Sequence, residues 1–423
     1  MRVTILTQYY PPEIGAPQAR LSELARALVR RGHEVTVLTA MPSYPVGKIY
    51  PGYGGLVRRE RRDGVEVIRT AVFPTQRADF LGRLANYFSF ACSASIAGTF
   101  LLRRCDYLIV ESPPLFLGIT GLWLSWRTRA AMVFNVSDLW PETAVRLGVV
   151  RAGSLGHRLA AWLEGLCYRH AAVVSGQTRT IVQSIAERFP RCRTYHFSNG
   201  VNTRAFHPER RTAAARATLG GDGTGTCVAL YAGLHGLAQG LDQVLDAADT
   251  LRTDPRLRLV MVGDGPAKGR LMEHAQARGL SNVRFLNPLP SAAVPPLVAA
   301  ADILVVPLAT HIPGATPSKL YEAMASGRPV VLVAGGEPAA FVREHRVGIV
   351  VSPGDGAGLV EALRTLSADA ALREELGTNG RQTAERLFDK VDIDNAFIEY
   401  LEQAGQTAPA RDRVPRPAPS RPA

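Results

Sequence analysis

A serine, a lysine and a glutamate stand in one short run, A-T-P-S-K-L-Y-E-A-M-A-S-G-R-P-V, from Ala315 to Val330. Pro317 and Ser318 are residue types that open helices, and Lys319 to Ala325 are strong helix formers that run out at Gly327. The first backbone N–H groups of such a helix have no partner within it, so they face an anion, and the Lys319 ammonium adds a point charge. Glu322 follows three residues later on roughly the same face, where its carboxylate could accept hydrogen bonds from two adjacent ribose hydroxyls. Taken alone, the two side chains are equally an ordinary surface Lys/Glu pair.

Three further segments carry the same kind of chemistry. Y-A-G-L-H-G-L-A-Q-G-L, Tyr231 to Leu241, is a strand running into a glycine-spaced turn: Gly233 and Gly236 let backbone approach a phosphate or sugar, and His235 and Gln239 supply polar groups. V-G-D-G-P, Val262 to Pro266, sets Gly263 and Asp264 at a second strand end, and N-P-L-P-S-A-A-V-P-P-L, Asn287 to Leu297, places Leu289 at a third. Open α/β sheets bind ligands at such carboxyl ends. Asp138, in F-N-V-S-D-L-W-P-E, also follows a strand, where an Asp can serve simply as a helix cap.

Two sets of strands must position these residues. The first half alternates strands and helices: Val3 to Thr7, a helix with Leu21, Leu24, Ala25 and Leu28 on one face, Glu34 to Thr39, then apolar runs at Val65 to Thr70, Tyr107 to Val110, Met132 to Val136 and Ala171 to Val174. The turn-rich segment from Phe197 to Pro208 marks a joint. A second set follows at Val228 to Ala232, Leu257 to Val262, Val283 to Leu286, Ile303 to Pro307, Val330 to Val333 and Gly348 to Val351. The pattern predicts α/β architecture with two doubly wound, Rossmann-like domains, 1–200 and 201–390. Residues 391–406 read as an amphipathic helix returning to the first domain, and the Pro- and Arg-rich 407–423 as a disordered tail.

The chain has 423 residues, 46% hydrophobic and 20% charged, enough to bury a large core. Its net charge of +12 is uneven: residues 1 to 200 carry 25 Lys and Arg against 13 Asp and Glu, and the remainder is balanced. A basic half attracts phosphates, whether of a diphosphate substrate, an anionic lipid or nucleic acid, or is simply a solvated Arg-rich face. Charge alone supports no specific nucleic-acid reader. Five scattered cysteines without a CxxC pair suit a reducing cytosol and no zinc site, and the amino terminus has no secretory pattern, so a cytoplasmic location is expected.

Leu84 to Leu102 lacks any charged residue and is flanked by Arg77, Arg83, Arg103 and Arg104, long enough to be weighed as a membrane span. Its Asn86, Ser89, Ser93, Ser95 and Thr99 count against spanning, as does the need to keep one sheet on one side of a bilayer. What remains is a helix that touches lipid through its basic flanks or a plain domain helix. Pro113 to Trp126, with two tryptophans, leaves the same choice between lipid contact and core. The one D-x-D, Asp392 and Asp394, falls in the last amphipathic helix, where a solvated face is expected rather than a metal bridge.

From Tyr231 onward, the order of these motifs resembles the C-terminal domain of family 4 retaining glycosyltransferases of the GT-B fold. Tyr9 to Arg20, Y-Y-P-P-E-I-G-A-P-Q-A-R, with R-G-H-E-V-T-V-L-T after it, is similar to that family's first loop and helix. The resemblance covers nearly the whole chain and is strongest to the bacterial surface-polysaccharide branch, including N-acetylfucosaminyltransferase-like enzymes. It implies two domains facing across a cleft and a UDP-sugar donor, with Gly15 approaching that donor. It also implies that Ser318 and Lys319 hold the diphosphate, Glu322 the ribose and Asn287 to Pro290 the base, with Leu320 among the donor-binding residues, and that Asp138 and His235 serve the reaction. A lipid-linked acceptor at the cytoplasmic membrane face and front-face transfer with retention, without metal or cofactor, complete the implied activity.

The chain departs from the family pattern in two places. A carboxylate is expected at position 314, where this chain has Gly314, and the Arg and Lys common in the turn after the first C-terminal strand are replaced by His235 and Gln239. A donor recognised by backbone groups, as a 6-deoxy or N-acetylated sugar, fits both departures; a chain that binds without turnover, or a sugar-nucleotide epimerase, are the other readings. A Rossmann dehydrogenase is disfavoured because P-P-E-I-G-A-P, not G-x-G-x-x-G, follows the first strand.

Overall fold

The computed structural model describes residues 1–13, 15–44, 47–75, 80–146, 148, 150–221, 225–311 and 314–407. The chain forms two compact units, Met1–Ser198 with Val391 onward, and Asn199–Lys390.

The first unit is built on strands β1 (Arg2–Leu6), β2 (Glu34–Ala40), β3 (Val57–Arg62), β4 (Val65–Thr70), β5 (Tyr107–Ser112), β6 (Ala131–Val136), β7 (Val173–Gly176) and β8 (Thr194–His196). They lie in the order β3-β4-β2-β1-β5-β6-β7-β8, all parallel except β3, which pairs antiparallel with β4. The order reverses between β1 and β5. Sequence pattern misses β3 because V-R-R-E-R-R is a charged, exposed edge strand with no apolar alternation. Asp63 and Gly64, at φ 52° and 81°, make the two-residue turn that folds it onto β4. The three-residue β8 is too short for any periodicity to register.

The second unit contains β9 (Cys227–Ala232), β10 (Leu257–Val262), β11 (Val283–Leu286), β12 (Ile303–Pro307), β13 (Val330–Val333) and β14 (Gly348–Val351) in the order β11-β10-β9-β12-β13-β14, all parallel. This is the doubly wound arrangement, with its switch point between β9 and β12. Both sheets are covered on both faces. In β9, Cys227, Ala229 and Tyr231 enter one core while Val228 and Leu230 enter the other, which is why such strands read as unbroken apolar runs.

The helix Lys390–Thr407 packs on the first unit. Phe397 stacks on Phe197 with centroids 4.3 Å apart, the Tyr107 hydroxyl donates to the Leu401 carbonyl at 2.8 Å, and Arg31 pairs with Glu399 and Glu402. Asp392 is exposed, but Asp394 is buried, so the solvated face expected of that pair holds for only one of them. Thr407 is still helical; the rest of the tail, 408–423, lies outside the described residues, as does Arg77.

Candidate functional site

The switch point of the second sheet is lined by three loops. After β9 the chain turns at Gly233, makes a short 3-10 turn at Leu237–Gln239, and lies against the loop after β12: the Ala309 N–H donates to the Ala238 carbonyl at 2.9 Å, and Gln243 Nε2 to the Leu308 carbonyl at 3.1 Å. The turn after β10 is laced to it. Gly233 N–H donates to Val262 O, His235 N–H to Asp264 O and Ala267 N–H to His235 O, all within 2.9 Å. Gly263 is required here, because a Cβ would overlap the Gly233 carbonyl oxygen.

Against this floor stands the helix Ser318–Ala325. Its cap residue is Pro317, in extended backbone with no side chain capping the first N–H groups, so that end is open to an anion. Lys319 runs beneath the turn after β9: a Cβ on Gly233 would stand 2.6 Å from Lys319 Nζ and closer still to its Cε. Glycine at 233 therefore leaves the room that the ammonium occupies. Glu322 is partly exposed, and burial pushes its carboxyl above the usual range while Lys319 pulls it back. The Leu320 side chain, by contrast, is wholly inside the core, turned away from the open helix start, and its N–H is taken by the Pro317 carbonyl at 3.0 Å.

His235 meets a similar fate. Its imidazole has no exposed surface, with Tyr231 and Phe285 rings at 5.7 and 6.2 Å, and neither ring nitrogen has a partner in hydrogen-bond geometry among the described residues. Burial first, and then the Lys268 ammonium, lower its pKa, so the ring is neutral at neutral pH. The expectation of a side chain reaching the reacting centre is corrected: packing from β9 and β11 turns the ring inward, and only the backbone of His235 serves the turn. The Gln239 Oε1 is buried and without a partner among the described residues. Asp264 is exposed, with its carboxylate accepting from the Gly265 N–H, and Leu289 packs partly into the core between exposed Pro288 and Pro290.

The first unit holds a second polar assembly that sequence reasoning passes over. Arg20 donates to Glu111 at 2.5 Å, to Ser137 Oγ at 2.7 Å and to Gln177 Oε1 at 2.9 Å. Asn135 Nδ2 donates to the other Glu111 oxygen at 2.6 Å, and Ser175 to Asn135 at 2.7 Å. Apart from Arg20, which reaches in from the helix Ala16–Arg30, these groups sit at or just beyond the carboxyl ends of β5, β6 and β7, and all but the half-buried Gln177 are buried where a parallel sheet is otherwise apolar. The signal in sequence was a Glu, an Asn and a Ser within Val110 to Ser112, Phe134 to Val136 and Val174 to Gly176. Asp138 adjoins this assembly: burial, with Glu111 adding, pushes its carboxyl up to about 6, against the opposing pull of Arg20. Gly15 opens the helix Ala16–Arg30, which also has no capping side chain.

Comparison with known proteins gives these sites a family. A model of the glycosyl transferase 4-like domain matches residues 15–200, and one of the glycosyl transferases group 1 matches 223–383. A putative colanic acid biosynthesis glycosyl transferase of Escherichia coli (strain K12) is 29% identical over 95% of this chain and 100% of its own length. The chain belongs to the GT4-like, group 1 glycosyltransferases. Solved structures agree on the GT-B fold: sucrose-phosphate synthase from Thermosynechococcus elongatus superposes with a TM-score of 0.78 at 20% identity, covering 96% of this chain and 100% of that one. Anabaena HepE in complex with UDP-glucose does so at 0.70 and 18%, covering 95% and 100%.

In this glycosyltransferase, the expected residues divide between the units. Gly15 and Asp138 belong to the first, and Gly233, His235, Gly236, Gln239, Gly263, Asp264, Leu289, Gly314, Ser318, Lys319, Leu320 and Glu322 to the second. Gly314 is buried at φ 76°, in the left-handed region, where a glutamate would cost about 1 to 2 kcal/mol. The backbone thus has its own reason for a glycine where the family pattern expects a carboxylate.

Proposed function

We propose that this glycosyltransferase moves a sugar, of the 2-acetamido or 6-deoxy kind, from a uridine diphosphate donor to a lipid-diphosphate-linked acceptor, with retention, in the synthesis of a cell-surface polysaccharide. The observation that carries the donor side is the uncapped start of the Ser318–Ala325 helix at the switch point, with Lys319 held under Gly233. That arrangement suits a diphosphate, and Glu322 one turn on suits the ribose. The UDP-glucose bound by Anabaena HepE supports the choice of donor, and the colanic acid relative supports the choice of pathway class.

In the proposed step the bond between the sugar's anomeric carbon and the β-phosphate oxygen breaks, and a bond from that carbon to the acceptor oxygen forms on the same face. The acceptor proton passes to the departing phosphate, and no protein nucleophile is used. Ser318, the neighbouring N–H groups and Lys319 stabilise the charge that grows on the diphosphate, without calling on a metal or cofactor. His235 acts as a positioning residue through the Gly233–Gly236 turn. Asp138, raised towards neutrality, is the polar group assigned to the sugar or acceptor.

Incubation with a panel of UDP-sugars, with and without an undecaprenyl-diphosphate-linked sugar, tests the proposal. Sugar transfer that needs the acceptor is the expected result. A donor changed in the absence of acceptor would replace it with an epimerase reading, and bound donor with no product under either condition with a binding protein.

A further inference from the structure

Three neighbouring helices of the first unit turn apolar stripes to solvent. On Phe80–Leu101 the outward positions Phe88, Ile96 and Phe100 recur at helical spacing, while Phe90, Ala94 and Ala97 on the opposite side are buried. On Leu117–Thr128 the outward stripe is Ile119, Trp123 and Trp126, and on Leu155–His170 it is Leu155, Leu159 and Trp162. The helices are packed side by side, the second between the other two, and the Trp123 indole donates to Thr99 Oγ1 at 2.8 Å across the first pair. The stripes therefore form one broad face. Phe100 is 81% exposed, Trp126 62% and Trp162 60%, far more than the core of a monomer leaves uncovered.

The exposed charge on the three helices themselves and just after them is basic. The three helices carry a single acidic residue, Glu164, which is buried and paired with Arg188. Exposed arginines follow each helix or lie on it: Arg103 and Arg104, Arg127 and Arg129, and Arg158 and Arg169. Aromatic and aliphatic side chains rimmed by arginines match a bilayer surface, where indoles settle at headgroup depth and arginines meet lipid phosphates. Among the described residues one helix is long and apolar enough to span, with a mean hydropathy of 1.2 over Leu84–Leu101, but its inner side is built into the core beside β2 and β4, which favours a helix lying on the surface over one that crosses.

We propose that the first unit docks on an anionic membrane through this three-helix face, with Trp123, Trp126 and Trp162 as interfacial anchors and the flanking arginines on lipid phosphates. The proposal extends the reading of a lipid-linked acceptor but stands on the surface itself, and it commits to a lipid surface rather than a second copy of the chain.

The test is co-sedimentation of the full chain with phosphatidylcholine vesicles and with vesicles containing phosphatidylglycerol, alongside sedimentation velocity without lipid. The wild type should pellet with the anionic vesicles and be released by salt. A Trp123→Ser/Trp126→Ser/Trp162→Ser variant and an Arg103→Gln/Arg104→Gln/Arg127→Gln/Arg129→Gln variant should each lower the partition coefficient by roughly tenfold or more. Both leave the core untouched, and unchanged UDP titration confirms their folding. A wild type that stays in the supernatant with both vesicle types would overturn the proposal, as would a self-associated chain that the tryptophan variant converts to monomer with no vesicle binding by either. Loss of UDP binding by the wild type would instead count against the donor assignment and leave the docking face standing.

Discussion

Replacing Gly233 by alanine is the sharpest perturbation of the proposed donor site. The new Cβ would stand 2.6 Å from Lys319 Nζ and 3.3 Å from the Tyr231 hydroxyl, so the lysine side chain must leave its present path. Because the obstructed atoms are the far end of a flexible side chain, the fold can adapt by moving Lys319, and the damage falls on the ligand. Losing one charge-assisted hydrogen bond to a diphosphate costs about 1.5 to 3 kcal/mol, which weakens UDP binding by about 10- to 150-fold. Titration calorimetry with UDP reads this directly, with the melting temperature followed in parallel. The cycle with Lys319→Ala is decisive: if the two positions act through one ammonium, Gly233→Ala/Lys319→Ala binds UDP no worse than Lys319→Ala alone. Wild-type affinity in Gly233→Ala, or fully additive losses in the double variant, would refute the role given to Lys319.

Other substitutions follow from the same geometry. Glu322→Ala should weaken UDP by about 1 to 3 kcal/mol and erase any preference for UDP over its 2′-deoxy analogue, checked by the same titration. Gly263→Ala should lower the denaturation midpoint by the equivalent of roughly 1 to 3 kcal/mol, because the conflict is with the Gly233 carbonyl rather than with a side chain that can step aside. Asp138, with a folded pKa near 6 against a lower unfolded value, favours the fold when protonated, so its contribution is complete below about pH 4 and lost as pH rises through 6. Urea unfolding across that window should show wild-type stability falling relative to Asp138→Asn by of order 2 kcal/mol, and parallel curves would show that burial does not tax this carboxylate.

The two sheets were legible because their central strands bury both faces, so β1, β9 and β12 appear in the sequence as apolar runs ended by glycine or polar turns. The edge strand β3 was not, since its arginines face solvent and only the Asp63-Gly64 turn and the pairing with β4 define it. The helix start at Ser318, proposed as the donor segment, was legible for a related reason: helix-opening residues, Lys319 and Glu322 are local features, fixed within one turn. What the sequence withheld was depth. His235 and Leu320 have residue types and positions that suit a ligand, but their burial is decided by Phe285 on β11 and by the core beneath β12, both distant in sequence. The Arg20, Glu111 and Asn135 assembly was hidden likewise, its members drawn from separate strands and a helix. The apolar run Leu84 to Leu102 could not say which of its sides faced the core; the structure gives Phe90 and Ala94 to the core and leaves Ile96 and Phe100 outside.

The central claim is transfer of a sugar from a UDP-linked donor held at Lys319 and Glu322. Mass spectrometry of a lipid-diphosphate-linked acceptor, after incubation with each UDP-sugar in turn, tests it most directly. A mass gain of one sugar from a single donor is expected, with UDP released in equal amount and the gain lost in Lys319→Ala. An acceptor left unchanged by every donor, in protein that binds UDP by calorimetry, or a mass gain indifferent to Lys319→Ala, would contradict it.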